Sequence, residues 1–503
     1  MLVYVIWFGV VEKKIKPASP TSASFQQQPR QAPAVNAAPG ADAAAPQAAP
    51  ASVADRKQLE TQSLPAALGK AQVKIHPKGA AVVSWQYQEP LGTVELVRDP
   101  QPGFLAAFPE LAFSPAKDSP LTWTARRADG LQVVKQFMPA PDDRTLPRVV
   151  ITLKNAGVKP LETGPWSLSI GPGLGTIGSE TAENVKQMRA IGLTPADRGL
   201  AGAVEIFKPG QLQAPYRWVA VDNRYFLAAL LPQAGDFSSI TCEPGARLRL
   251  DAAAAHLAPG QSRAWAIPYY IGEKGNTWLS RYGVGLERSI DFGFFAQLGR
   301  FVLKALDKLH ALTGNWGWSI IVLTMLLQIL LLPLTYKSLK AQAAMRRLQP
   351  EIARLQQRHA KDPKTLNAET MELYRKHGAN PLGGCLPMLI QMPVFIALYN
   401  ALRNAWELHG AGWIFWIHDL SAKDPYYILP LVMGGLMFAQ NKLNPPTSDP
   451  TQQQMMKWMP IIFTFMFLKF PAGLVLYWLT NSAANAAIQM SLRSRFDSTA
   501  GRK

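Results

Sequence analysis

Residues 316–336 read WGWSIIVLTMLLQILLLPLTY and contain no charged side chain. As an α-helix, a stretch of this length rises about 30 Å, the thickness of the hydrocarbon core of a bilayer. Four later stretches are also predominantly apolar, namely 385–405, 425–441, 458–470 and 472–490. We therefore predict a multi-pass α-helical membrane core of five helices, with a tight turn at Pro471-Ala-Gly473 between the short fourth helix and the fifth.

Charge predicts the orientation of these helices. Residues 337–384 carry ten Lys/Arg against four acids, whereas 406–424 carry one Lys against three acids. Cytoplasmic loops are the basic ones, so 337–384 and the tail 491–503 are expected in the cytoplasm and the preceding domain in the periplasm. The net charge of +18 is thus explained by loops, and no nucleic-acid partner is expected. Cys242 and Cys385 predict neither a disulfide nor a zinc site.

The chain before the helices divides into three parts. Residues 1–16 are expected to be a short N-terminal anchor helix that looks truncated, or else a frayed tail, because an apolar run of eleven residues spans only about 16 Å. Residues 17–64 are rich in Pro and Ala and predict a flexible linker. Residues 65–290 contain short strands, among them 148–154, 247–251 and 262–267, and predict a periplasmic β-sandwich.

Two helical segments flank the first membrane helix at 314–336. In 291–313, apolar residues recur on one face, which predicts an amphipathic helix lying in the membrane interface or, alternatively, packed on the β-domain. Residues 337–384 predict a cytoplasmic helical hairpin broken at Lys361-Asp362-Pro363. Its basic side chains suggest either a docking surface for ribosomes and nascent chains or a solvated loop that meets anionic lipids; they are Arg346, Arg347, Arg354, Arg358, Arg375 and Lys376.

Uncharged polar residues inside the apolar helices are the candidate functional site. Thr324 and Gln328 lie one turn apart on one helix, and a polar stripe recurs every four residues on the last helix. The stripe and its companion on the second helix are Tyr477, Asn481, Asn485, Gln489 and Gln391. Such residues form either interhelical hydrogen bonds or a hydrated groove, and so many together favour the groove.

Motifs for nucleotide or hydrolytic chemistry are missing from the sequence. There is no Walker loop, HExxH or GxSxG, and the sequence predicts neither an enzyme nor a cofactor. Residues 173–178 match GxGxxG, but they lie among strands with no amphipathic helix expected after them, which favours a turn over a dinucleotide site.

Six segments carry a resemblance to a known family. They are GNWGWS (314–319), NPLGGC (380–385), LIQMPVF (389–395), WIHDL (416–420), DPYYILP (424–430) and FPAGLVLY (470–477). Together they resemble the YidC family of membrane insertases, densely over 316–490. The resemblance implies a five-helix insertase bundle, an additional N-terminal anchor in Gram-negative members, a periplasmic all-β supersandwich and a cytoplasmic helical hairpin.

The resemblance also implies a function. Members of the family insert and help fold membrane segments of nascent proteins in the inner membrane, alone or beside the Sec translocon. Two positions depart from the family pattern. Gln328 lies where an arginine is usual, and Trp478 lies where many Gram-negative members have a second tyrosine. We add Trp478 to the predicted client groove. From the residues alone, a secondary transporter or channel, or a membrane-tethered carbohydrate-binding protein, are the alternatives.

Overall fold

The computed structural model describes residues 53–69, 71–196, 202–212, 215–359, 362–378, 386–443 and 450–498. The predicted N-terminal anchor at 1–16, most of the linker 17–64 and Cys385 lie outside these ranges. Where the linker is described, the prediction is wrong, because Val53–Thr61 forms a helix, α1, that packs on the first sheet. Arg56 holds this helix by donating hydrogen bonds to the carbonyl oxygens of Val97 and Arg98, at 2.7 and 2.6 Å.

The described part of the β-domain contains twenty strands that pair in antiparallel fashion in four sheets. Nine strands form the largest sheet and five form the sheet that faces it across the core. The strands are β1 Leu64–Leu68, β2 Ala71–His76, β3 Ala81–Glu89, β4 Gly92–Glu95, β5 Ala106–Ala107, β6 Ser114–Ala116, β7 Ser119–Arg126, β8 Leu131–Met138, β9 Arg148–Asn155, β10 Leu161–Glu162, β11 Trp166–Ile170, β12 Arg189–Leu193, β13 Val204–Ile206, β14 Gly210–Leu212, β15 Trp218–Asp222, β16 Phe226–Leu230, β17 Ser239–Glu243, β18 Arg247–Ala252, β19 His256–Leu257 and β20 Ser262–Glu273.

The three strands predicted at 148–154, 247–251 and 262–267 are confirmed as β9, β18 and β20. In β18 the side chains alternate between buried and half-exposed, as expected for a strand with one face on the core. The long strand β20 joins β9 to β16 in the largest sheet. Cys242 is a buried free thiol on β17.

The loop that matches GxGxxG packs against the backbone of β4. A side chain at Gly175 would place its Cβ 1.8 Å from the carbonyl oxygen of Glu95, so close approach of the chain requires glycine there. No amphipathic helix was expected after this loop, and the helix that does follow, α2 at Thr181–Gln187, has only seven residues. Gly175 thus allows close packing of the loop on β4, whereas a Cβ at Gly178 would meet open space.

In the described residues, the remaining nine helices follow the β-domain or lie at its end. Their bounds are α3 Asn276–Ser280, α4 Ala296–Thr313, α5 Trp316–Arg347, α6 Gln349–Arg358, α7 Pro363–Lys376, α8 Leu386–Asn404, α9 Ile428–Leu443, α10 Pro450–Phe467 and α11 Ala472–Ser498. Helix α11 packs along α5, and α9 packs against both α10 and α11. Helix α4 packs against α5 and α8 through Val302, Leu303 and Leu306, while Phe301 and Leu312 are exposed.

Within the described residues, α5 is the one helix that is both long and apolar enough to cross a membrane. The apolar parts of α9 and α10 are shorter, at Ile428–Asn441 and Lys457–Phe467. Helix α10 also begins at Pro450, earlier than the predicted span 458–470, and ends at Phe467. The helix is therefore longer than predicted, and only its apolar section is too short to span a bilayer.

Candidate functional site

Two polar faces meet where α5 packs along α11. The Gln328 side-chain amide on α5 donates a hydrogen bond to Oδ1 of Asn481 on α11. Both side chains are buried, with 4% and 7% of their surface exposed. One turn before Gln328, the hydroxyl of Thr324 is buried as well and donates to the Ile320 carbonyl oxygen at 2.6 Å. The two faces that the sequence analysis singled out therefore lie in direct contact.

A second hydrogen bond joins α11 to α8. The Gln391 amide donates to the hydroxyl oxygen of Tyr477 at 2.6 Å, and Tyr477 is buried. Since Tyr477 and Asn481 are one turn apart, α11 carries both bonds on one face. We refer to the pairs Gln328–Asn481 and Gln391–Tyr477 as the polar seam.

The polar seam is closed in this structure. Buried amides that bond to each other satisfy their polar atoms without water, so the helices can pack as tightly as apolar ones. In this conformation Gln328 and Asn481 are buried against each other, and a hydrated groove between the two faces stays a prediction. Further along α11, Asn485 is half-buried and Gln489 is buried.

Trp478 belongs to an aromatic cluster. Its ring lies 5.0 Å from that of Phe395 on α8 and 6.0 and 5.4 Å from those of Phe463 and Phe467 on α10. The distances join ring centroids. The side chain thus packs α8 and α10 onto α11, where the sequence analysis had grouped it with the groove residues.

The hairpin of α6 and α7 has a small apolar core. Leu348 and Ile352 are buried against Leu373 and Tyr374. Asp362 caps α7 by accepting hydrogen bonds from the backbone amides of Lys364 and Thr365, and Pro363 follows in the first turn, so the break predicted at 361–363 is confirmed. Five of the six basic residues singled out are exposed and Arg346 is half-buried; the exposed ones are Arg347, Arg354, Arg358, Arg375 and Lys376.

A junction between the β-domain and the helices was not found from the sequence. Arg224, in the turn before β16, donates to the Arg403 carbonyl oxygen at the end of α8, at 2.9 and 2.7 Å. His409 bonds to Glu89 at the end of β3. Arg224 and Arg403 are 179 positions apart, and His409 and Glu89 are 320 positions apart. No local sequence pattern predicts contacts over such separations.

Glu407 is a further part of this junction. Its Oε1 accepts a hydrogen bond from the Asn276 backbone amide at 2.8 Å, while Oε2 is buried with no hydrogen-bond partner among the described residues. Burial raises the pKa of Glu407 to about 7, and the nearby Asp307 carboxylate acts in the same direction. Burial also raises the pKa of Asp307.

The fold and the site together define a class of protein: a large β-domain fixed on a bundle of apolar helices that carries buried uncharged polar contacts. The family description "60Kd inner membrane protein" matches residues 308–499, and "YidC periplasmic domain" matches residues 111–305. A membrane protein insertase YidC from Endomicrobium trichonymphae is 39% identical over 421 residues, which cover 80% of each chain. The chain belongs to the YidC family of membrane insertases.

Other relatives share the same name. The YidC insertase of Cupriavidus metallidurans is 44% identical over 279 residues, and the match spans 55% of this chain and 50% of that protein. A crystal structure described as an active YidC insertase with the first transmembrane domain resolved is 16% identical, with a TM-score of 0.42. The superposition covers 85% of this chain and 92% of the other.

Proposed function

We propose that this protein inserts transmembrane segments of nascent client proteins into the bacterial inner membrane and helps them fold. The observation that supports this most is the polar seam, which places hydrogen-bonding amides between otherwise apolar helices. A seam without charges can part at modest cost, because each amide then exchanges one hydrogen bond for another. Once parted, it offers a client's polar flank a path past hydrocarbon.

The energy for insertion comes from the client. Moving apolar surface from water to lipid releases about 25 cal/mol per Å², so a segment long enough to span the bilayer supplies ample driving force. The protein lowers the barrier by letting polar groups pass through the parted seam, and we expect insertion without nucleotide hydrolysis. The short apolar parts of α9 and α10 favour a locally thinned bilayer, which shortens the path.

We further propose the Gram-negative topology described above, with five membrane-spanning helices and the β-domain in the periplasm. The basic hairpin then lies in the cytoplasm, where its exposed Arg354, Arg358 and Arg375 can meet the ribosome or anionic lipid headgroups. Clients arrive either directly or from the Sec translocon. The junction through Arg224 and His409 holds the β-domain on the periplasmic end of the helices.

Reconstitution tests this function. Purified full-length protein in liposomes should protect a newly synthesised single-span client from protease with no nucleotide present during the insertion step. The triple variant Thr324→Val, Gln328→Leu, Asn481→Leu should fall to the level of empty liposomes. Thr335→Val, on the same helix and half-buried, is the matched control and should insert normally. Full activity of the triple variant would remove the polar seam from the proposed route.

A further inference from the structure

Aromatic side chains project from the loop 413–427 between α8 and α9. Phe415 is 79% exposed and Tyr426 is 66% exposed, and Tyr427 is exposed beside them. Trp318, in the first turn of α5, is exposed as well and meets the loop through an edge contact with Trp413, at 5.9 Å between ring centroids. We call Trp318, Phe415, Tyr426 and Tyr427 the aromatic collar.

Two contacts attach the loop to the start of α5. Trp413 fills the space over Gly317, where a Cβ atom would lie 2.2 Å from the Trp413 side chain. The Asn315 amide, which belongs to the cap of α5, donates to the Gly412 carbonyl oxygen at 3.1 Å. Both contacts join the loop to the first turn of the longest apolar helix.

Asp424 fixes the loop from within. Its buried carboxylate accepts hydrogen bonds from the Trp416 indole and the Tyr426 amide, both at 3.0 Å, and from the Leu429 amide at 2.7 Å. One side chain thus ties together the middle of the loop, the base of the collar and the first turn of α9.

Two collar residues have strained backbones. Phe415 and Tyr427 have φ values of 53° and 58°, in the left-handed region that favours glycine. For residues with bulky side chains this backbone conformation is unfavourable. Phe415 stacks on Trp416 within the loop, at 5.9 Å between ring centroids, but most of its surface stays exposed and is available to a partner outside the protein.

We propose that the aromatic collar lies in the lipid headgroup layer of the outer leaflet. This inference rests on the membrane topology proposed above. The position of the collar supports a lipid partner. The outward face of α5 becomes apolar and exposed at Met325, Leu326, Ile329 and Leu330. That face begins seven residues after Trp318, about 10 Å along the helix axis. Aromatic residues above an apolar flank are the usual arrangement at a membrane interface, where amphipathic rings are most stable. The collar would set the depth at which the polar seam lies.

Spin-label depth measurements test the collar in the full-length protein. In a variant carrying Cys242→Ala and Cys385→Ser, single cysteines replace His418, exposed on the loop, or Leu330, on the apolar flank. The labelled proteins are reconstituted in vesicles of phosphatidylethanolamine and phosphatidylglycerol. The label at 418 should report headgroup depth, and the label at 330 should report the hydrocarbon. Adding Phe415→Ser, Tyr426→Ser and Tyr427→Ser should move the label at 418 into water and leave the label at 330 deep.

Each outcome has a defined meaning. An unchanged depth at 418 in the triple variant overturns the collar while leaving the membrane embedding intact. A label at 330 that is accessible to water overturns both. Phe415→Gly serves as the second variant, because it removes one ring and also relieves the strained backbone. It should melt no lower than the parent in detergent, yet place the label at 418 closer to water; an unchanged depth contradicts the proposal.

Discussion

Gln328 and Asn481 bond directly to each other across the packed helices α5 and α11, although they are 153 positions apart in the sequence. On the proposed route a client passes between α5 and α11, so we expect this bond to break during insertion. Pro333 lies just beyond Gln328 and deprives the Ile329 carbonyl oxygen of its helical partner. Helix α5 therefore lacks one backbone hydrogen bond directly after Gln328, which locally weakens the helix beside the polar seam.

A disulfide across the seam should block insertion. In the variant lacking Cys242 and Cys385, the pair Gln328→Cys and Asn481→Cys should form a disulfide on oxidation and lose at least tenfold in client insertion. Reduction of the same protein should restore the activity. The single-cysteine variants, oxidised in parallel, are the controls. Undiminished insertion by the fully oxidised pair would show that the seam stays closed during the reaction.

The charge of position 328 should decide which clients insert well. A guanidinium in this low-dielectric site attracts an acidic residue by about 4 kcal/mol at 4 Å with an effective dielectric constant of 20. We therefore expect the natural Gln328 protein to insert a client with an acidic translocated tail weakly, and Gln328→Arg to insert it several times better. A client with an uncharged tail is the control. Equal yields of the acidic client from both proteins would contradict the expectation.

Lys135 should be a strong determinant of β-domain stability. It is fully buried, and its ammonium donates to the carbonyl oxygens of Ala80 at 2.7 Å, Gly79 at 3.2 Å and Leu105. Burial lowers the pKa of Lys135 to about 7. Lys135→Met removes the ammonium donor from the carbonyl oxygens of Ala80 and Leu105 and should lower the free energy of unfolding by about 3 kcal/mol.

The thermal unfolding midpoint of the detergent-solubilised protein measures this effect. Lys154→Met on the neighbouring strand β9 is the matched control, because that side chain is exposed and should change the midpoint little. Equal midpoints for the two variants would contradict the role given to Lys135.

Glu407 should make the junction between the β-domain and the helices sensitive to pH. Its pKa is raised from 4.5 to about 7 by burial, so between these values the folded protein binds a proton that the unfolded chain does not. The stabilising effect of that proton is complete below about pH 4.5 and is lost as the pH rises through about 7.

Glu407→Gln mimics the protonated acid at every pH. It should match the natural protein at pH 4.5 and exceed its free energy of unfolding by up to about 3 kcal/mol at pH 8. Asp118→Asn, on an exposed turn of the β-domain, controls for the loss of a negative charge. The comparison needs only melting curves at both pH values. A gap between natural and Glu407→Gln proteins that does not widen with pH would remove the predicted dependence.

Local patterns in the sequence were enough to predict much of this molecule. Alternation identified β18, and helical spacing placed Thr324, Gln328 and Asn481 on facing surfaces. Whether those surfaces enclose water or touch depends on the distance between the helix axes, which side-chain spacing does not encode. For the same reason the sequence could not distinguish the groove from the closed seam.

The features that the sequence did not predict also have physical causes. Helix α1 forms in a Pro/Ala-rich region because Arg56 finds carbonyl oxygens about forty residues away. The junction residues Arg224 and His409 depend on partners in a separate domain. Trp478 lies next to Tyr477 in sequence but points to the aromatic rings of α8 and α10, since neighbouring residues on a helix face directions about 100° apart.

Site-specific photocrosslinking tests the proposed route most directly. A photoreactive amino acid replaces Thr324, Gln328 or Asn481, and the protein is presented with a ribosome-stalled membrane segment in native membranes. We expect crosslinks to the client from all three positions during insertion, and none from Val158, an exposed position of the β-domain. Efficient insertion without crosslinks from 324, 328 and 481 would show that clients enter the membrane by another path.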